Sequence, residues 1–413
     1  MLSGHPSWKR RLVLIAPPVI VVLLLFSGPW RRWMSSSVAA GGTISLLVET
    51  SRLNTERERE RIEDNVERSL RVFQRYNPDV KVKWQLVPSD RMVQELGYRH
   101  RRGLGPDLLL ITDTDLAALG KRGWIRPVSL DATERQDIRP DLVEALESDG
   151  QMLAVPELVF TRMACFDRQR MAAAPTSLDQ LIDQAKAGKR FGFQSRFSEL
   201  TWLYTSFGGE LFPQGVASTN PSALLDFLRW LRLANLQPSI VFEISPQNLL
   251  HGFLAGRYQW VLCANRWLPS LQDGMSERLG LAALPQGPAG DPRAVVHMRL
   301  WAFGSQSNPR QQELALRLAL FNINVVQQRT MAIDQATVLP VNPAIGLPFK
   351  AYPVLAVQYQ QYKRGLVLTN QQFSDLYALD EQVQPLMDAV ISGSKTPEAI
   401  APRLHQVLQE RLR

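Results

Sequence analysis

The residues best suited to chemistry in this chain sit just past two apolar runs. Glu49, Thr50 and Arg52 follow the run 43–49, and Asp113, Thr114 and Asp115 follow the run 107–112. Carboxylates and a guanidinium so placed can bond ligand hydroxyls, and hydrogen bonds to a charged group are roughly twice as strong as neutral ones. Glu199 adds an acid within 197–212, a segment dense in aromatics. Trp202 and Trp267 each stand where a strand or loop hands over to a helix, which makes them candidates to cover a ligand's apolar face. Trp301 lies on the run 295–303 and joins them as a candidate. Competing assignments are plain ones: core packing for any single tryptophan, and helix capping for Asp113 or Asp115. No glycine-rich phosphate loop, G-x-S-x-G, H-E-x-x-H or paired metal-ligand spacing occurs, and the five histidines are scattered. No catalytic residue, metal or cofactor is expected.

Cys165 and Cys263 are the only cysteines, and each lies in an apolar run. Buried small hydrophobes are the expectation, with a disulfide open to an exported protein. A cysteine nucleophile is the enzymatic alternative, but neither cysteine has a His or Glu near it in sequence at a helix start, as an activated thiolate favours. Arg162, Arg196, Arg266 and Arg299 fall around predicted crossing or cleft segments, which opens a second binding alternative: a phosphate ester held by guanidinium forks. The plainer assignment of these arginines is to solvated strand ends or ion pairs.

The formal charge of +8 does not argue for nucleic acid. Lys9, Arg10, Arg11, Arg31 and Arg32 all precede Thr43, in a stretch that holds no acid, so the body keeps only +3. In that tail a basic start precedes the uncharged run 12–30. A cleaved signal's apolar core runs ~7–15 residues and a spanning helix needs ~20, so the segment 1–42 reads as either a signal peptide or an uncleaved membrane anchor followed by a linker. Both place the body outside the cytoplasm, because the cationic start stays inside.

Behind the candidate residues the pattern alternates strand and helix. Thr55 and Glu58 form a capping box that opens a helix striped with Ile62, Val66, Leu70 and Phe73, and Asn77-Pro78 stops it. The runs 80–87 and 107–112 read as further strands, the second buried on both faces. The segment 150–167 holds two apolar runs split by Pro156 and Glu157, a hinge candidate between two lobes, with an ordinary β-bulge as the alternative. A second series follows: helix 177–187 stopped by Gly188, strand 191–194, helices 221–234 and 246–255, and strands 258–264, 279–283 and 295–303. Helices 309–324, 375–391 and 397–412 complete it. Alternation of this kind implies mostly parallel sheets covered by helices, with ligands at the carboxyl ends of the strands.

In their order these segments resemble the extracellular solute-binding proteins of ABC importers, in the sugar-binding group that includes maltose-binding protein. The resemblance rests on FQRYNP at 73–78, PDLLLI at 106–111, GWIRPV at 123–128, GQMLAVP at 150–156 and APTSLDQLI at 174–182. FLAG at 253–256, LAALPQG at 281–287, WAF at 301–303 and ISGSKTPE at 391–398 continue it to the end of the chain. Met298 and Arg299 replace a glycine pair common in the family, and Phe166-Asp167 replaces a Tyr-Asn. The resemblance implies a two-lobed, class II periplasmic-binding-protein-like α/β fold, each lobe a mostly parallel sheet flanked by helices, joined by a hinge. The first lobe would take 43–155 with 299–341, and the second 157–297 with 342–413. The resemblance adds Phe373 and Asp375 to the candidate ligand residues and supports Asp113, Asp115, Glu199, Trp202 and Trp267. It further implies a monomeric periplasmic receptor, free or tethered by its tail, that delivers a sugar-like solute to ABC permease subunits.

Overall fold

A computed structural model describes residues 41–51, 55–212, 220–335 and 337–411. The expected signal or anchor, and Arg52, lie outside the described residues. Among the described residues no helix is long and apolar enough to cross a membrane.

The strands of the described residues fall mainly into two sheets. They are β1 (Gly42–Thr50), β2 (Val80–Pro88), β3 (Leu108–Thr112), β4 (Ile125–Arg126), β5 (Glu147–Ser148), β6 (Gln151–Met152), β7 (Val155–Phe160), β8 (Met163–Asp167), β9 (Phe191–Gln194), β10 (Ile240–Glu243), β11 (Trp260–Cys263), β12 (Leu279–Ala282), β13 (His297–Gly304) and β14 (Leu339–Pro340). The first sheet runs β14-β7-β13-β3-β1-β2 with β4 beside β13, and the second runs β10-β9-β11-β8-β12. Helices flank both, so the chain is a two-lobed α/β protein. The sheets are mixed rather than mostly parallel. Strands β2, β1 and β3 are parallel, as are β10, β9 and β11. β13, β7 and β14 pair antiparallel, as do β8 and β12, because these strands carry the chain to and from the other sheet.

Each sheet has its own core. Ile44, Leu47, Phe73, Leu109, Trp301 and Leu318 belong to the first, and Phe193, Trp202, Phe227, Trp260, Leu379 and Leu404 to the second. The opening helix, Glu56–Tyr76, starts on the Thr55–Glu58 capping box that its sequence specifies, and Leu70 and Phe73 are its buried stripe. Helix Leu178–Lys186 is capped by Ser177, one position later than the threonine beside it.

Pro156 and Glu157 are not the passage between sheets. They lie inside β7, where the ladder to β13 skips from Arg299–Leu158 to Leu300–Pro156, leaving Glu157 as the extra residue of a bulge. A bulge is where a sheet tolerates a proline that cannot donate. The chain passes from β7 to β8 through Thr161 and Arg162.

Buried glutamines hold the passages. Gln358 Oε1 accepts from the Thr161 backbone N–H at 3.0 Å and its hydroxyl at 2.9 Å. Gln361 Nε2 donates to Thr161 Oγ1 and to the Arg162 carbonyl, while its Oε1 accepts from Leu284 N–H. Gln328 donates to the Glu157 carbonyl and accepts from Val341 N–H. Helix Pro353–Arg364, which carries Gln358 and Gln361, packs Leu355 and Tyr362 into the first core and Val354 and Val357 against a satellite core of the second lobe. The sequence pattern does not reveal this helix.

Candidate functional site

The crevice between the sheets is built from strand ends. β1 delivers Glu49, and the helix that begins immediately after β3, Asp113–Lys121, delivers Asp113 and Asp115 in its first turn. The positive end of that helix favours carboxylates there. Facing them, β11 runs into a short 3-10 turn, Asn265–Trp267, that carries Arg266. Helix Phe197–Ser206 brings Glu199, and helix Asn370–Ser392 brings Phe373 and Tyr377.

On the first wall, Glu49 Oε2 accepts from the Thr112 N–H at 2.6 Å and from its hydroxyl at 3.0 Å. Burial, and then the charge of Asp115, push the Glu49 carboxyl up to about 8. Asp115 is pushed up to about 6 by burial and by Asp113, and its Oδ2 has no hydrogen-bond partner among the described residues. Asp113 is buried: one oxygen accepts from Met298 N–H at 2.9 Å and stands 3.4 Å from His297 Nδ1, the other accepts from Thr114 N–H. It therefore anchors the wall to β13 and does not point a free carboxylate at the crevice.

On the second wall, Arg162 grips Glu199 with a two-point fork, Nε to Oε2 at 2.7 Å and Nη2 to Oε1 at 2.6 Å. Their side chains are only 9% and 8% exposed. Burial opposes the Glu199 charge, but Arg162, then Arg266 and His297, outweigh it and hold the carboxyl below its ordinary value. Arg266 is different. It is exposed, yet the protein around it and then the like charge of Arg162 depress its pKa. Among the described residues it has no hydrogen-bonded or ion-paired partner. Tyr377 is half-buried beside it, its phenol held neutral by burial and by Glu199.

Aromatic rings line the side toward the passages. Phe160 stacks on His297 at 5.5 Å, His297 meets Phe373 edge-on at 5.5 Å, and Phe373 stacks on Tyr377 at 4.8 Å. Of these rings Phe160 and Tyr377 retain partly open faces.

The sequence candidates divide accordingly. Glu49, Asp113, Asp115, Glu199 and Phe373 come together in the crevice. Trp202 and Trp267 do not offer it a face: at 1% and 2% exposure they are enclosed in the second lobe, Trp202 against Phe193 and Trp267 among Leu249, Phe253 and Leu268. Trp301 is equally enclosed in the first core. A helix start after a strand end points one face at the crevice and another at the core, and these large rings take the second. Asp375 accepts two bonds from Gln371 of its own helix. Arg299 pairs with Glu157 at the bulge. Sequence reasoning misses Tyr377 and Phe160, since an isolated aromatic on a helix or strand carries no signal that separates crevice from core.

Cys165 and Cys263 form a disulfide between the neighbouring strands β8 and β11. The expectation of two separate buried thiols is thereby corrected, and the cysteine-nucleophile alternative has no free thiol to use. Among the described residues no group of three or more His, Cys, Asp or Glu is placed to hold a metal ion.

Residues 55–296 match the family model of the bacterial extracellular solute-binding protein. No curated protein sequence matches the chain. Solved structures share the fold at low identity. The GacH receptor of Streptomyces glaucescens, solved unliganded and with acarbose, superposes with a TM-score of 0.73 at 16% identity over 90% of this chain and 98% of that one. The maltose/maltodextrin-binding domain MalE of Bdellovibrio bacteriovorus, bound to maltotriose, gives 0.72 at 16% over 90% and 100%. Maltose-bound MalE3 of T. maritima gives 0.71 at 18% over 89% and 100%.

Proposed function

Because the chain belongs to the bacterial extracellular solute-binding protein family, we propose that it is an exported receptor. It captures a small polyhydroxylated solute, a sugar or glycosylglycerol, by hinge closure and delivers it to an ABC permease. The first lobe comprises 43–155 and 299–341 together with β7. The second comprises the other sheet and the C-terminal helices, and the pair acts as a monomer. The tail, as cleaved signal or anchor, places it in the periplasm.

The observation that carries the reading is the crevice itself: acceptors on one wall, Glu49 and Asp115, and free donors on the other, Arg266 and Tyr377. A polyol presents both donors and acceptors, and a protonated Glu49 can serve it in either sense. Phe160 and Tyr377 supply apolar surface for the C–H faces of a ring, at ~25 cal/mol per Å² removed from water. Ligand touching both walls favours the closed state by its differential affinity.

A phosphate ester is the second reading, favoured by the unpaired Arg266. Arg162 and Arg299 do not support it, because Glu199 and Glu157 already neutralise them. Thermal unfolding against mono- and disaccharides, glycosylglycerols, glycerol phosphates and polyamines separates the two. A ligand at a hundred times its Kd adds ~2.7 kcal/mol. A rise in Tm with a neutral saccharide is expected; a rise with glycerol phosphate alone would transfer the site to the second reading.

A further inference from the structure

The end of the first lobe remote from the crevice carries a row of unmatched cations. β2 is the outer strand of its sheet, and Lys81, Lys83 and Gln85 are exposed along one face of it at the two-residue spacing of a pleat. Helix Ser89–His100 doubles back over that face, where Arg99 Nη2 donates to Gln85 Oε1 at 2.6 Å. Its last turn and the loop after it therefore run toward Lys83 and Lys81. That loop, Arg101-Arg102-Gly103-Leu104, is exposed throughout. Arg99 is matched by Glu95 at 2.6 Å, whereas Lys81, Lys83, Arg101 and Arg102 have no ion-pair partner among the described residues. The body of the chain carries only +3, so these cations are a local concentration.

Apolar side chains stand among the charges. Tyr98 is 46% exposed and Leu104 65%, and the Arg102 guanidinium lies 3.9 Å from the Tyr98 ring centroid. A phenol, an aliphatic side chain and several bases on one surface match the boundary of an anionic bilayer, where headgroups take the charge and the acyl margin takes the apolar groups. Edge lysines alone would serve to keep β2 from pairing with another strand, but the two arginines and Leu104 lie off the ladder. The tail also enters the fold here: Gly42 N–H donates to the Asp79 carbonyl at 3.0 Å, beside Lys81. Residues 33–40 separate Arg32 from Gly41, a reach of at most ~28 Å. The uncharged run 12–30, held in a bilayer as an anchor, would keep this end of the lobe near the headgroups.

We propose that Lys81, Lys83, Tyr98, Arg101, Arg102 and Leu104 form a docking surface for anionic lipid headgroups, a second membrane contact beside the tail. Each base near such a surface strengthens binding about fivefold, so the four together contribute roughly several hundredfold. The surface lies toward the amino ends of β1, β2 and β3, whereas Glu49, Asp113 and Asp115 sit at or just past the carboxyl ends of β1 and β3. Docking thus leaves the crevice open to solute, and delivery to a permease follows release of the surface.

Both native cysteines are in the disulfide, so Leu104→Cys offers a single site for an environment-sensitive nitrobenzoxadiazole label. The labelled full chain is reconstituted into vesicles of phosphatidylcholine alone and of phosphatidylcholine mixed with phosphatidylglycerol. Emission is expected to rise about twofold or more in the mixed vesicles only, and to fall back at about 1 M salt, where the screening length is about 3 Å. Arg101→Ala/Arg102→Ala, confined to an exposed loop, is expected to lose most of the rise with unchanged Tm, and Lys81→Glu/Lys83→Glu to lose a comparable part. The same label at Ile244→Cys, exposed on the second lobe, is expected to stay in water in both mixtures. No rise in the mixed vesicles, an equal rise in both mixtures, or a rise at both labelled positions overturns the docking surface. So does a response to duplex DNA or polyglutamate without one to the mixed vesicles, which assigns the cations to a different polyanion. None of these results bears on the receptor reading, which saccharide binding tests separately.

Discussion

At the scale of single residues, the decisive pair is Arg162 with Glu199. Both are nearly sealed from water, and the fork between them is the strongest compensation either has. Removing one partner of such a pair costs about 3–5 kcal/mol, because the survivor stays buried and uncompensated. Glu199→Ala is therefore expected to lower the urea-unfolding free energy by about that amount; a loss below about 1 kcal/mol would mean that water reaches Arg162 in solution. Glu49 gives a prediction of a different kind. Its folded pKa, about 8, lies above the ordinary 4.5, so the folded state holds the proton more tightly than the unfolded chain. The stabilisation from that proton is complete below about 4.5 and is lost as pH rises through about 8. Wild-type Tm without ligand should fall between pH 5 and pH 9, and Glu49→Gln, which can still accept from Thr112, should flatten the fall. An equal slope in both proteins would assign the pH dependence to other groups. The strand-end rule finds Glu49, Asp113 and Asp115 directly. It cannot find the Arg162–Glu199 pair, because no pattern in the chain connects two residues whose proximity is created by β8 and helix Phe197–Ser206 packing at the passage.

At the scale of elements, the sequence is most legible where local chemistry decides. The Thr55–Glu58 box, the Gly188 stop with positive φ, and strand β9 follow from residues within one turn of where they act. It is less legible where tertiary pairing decides. Pro156 marks an interruption, but whether that is a bulge or a passage depends on β13, which lies far along the chain. The junction rule turns the strand-to-helix tryptophans toward the crevice, and the core of the second lobe claims them instead. Gln358 and Gln361 show how the support of a passage between sheets can be hidden: glutamine on a helix reads as a solvated face, yet here both side chains replace backbone partners for Thr161, Arg162 and Leu284. Gln361→Leu, which keeps the volume and removes the bonds, is expected to cost about 1–3 kcal/mol by leaving buried polar groups unpaired. It should also change affinity for the solute, since the same bonds fix the relative direction of the lobes. Differential scanning calorimetry with and without ligand checks both, and an unchanged profile would remove Gln361 from the hinge.

At the scale of the whole molecule, two cores joined by short passages suit the proposed capture, in which a solute that touches both walls would favour the closed state by its differential affinity. The disulfide between β8 and β11 lies wholly within the second lobe, so it ties neighbouring strands of one sheet and spans no passage between the lobes. The central claim is closure around a captured solute. Its most direct test is small-angle X-ray scattering of the protein with and without the neutral saccharide that raises its Tm. The account predicts a smaller radius of gyration on binding in wild type and a weaker contraction in Arg266→Ala at the same sugar concentration. An unchanged radius of gyration in wild type at saturating sugar would contradict capture by hinge closure.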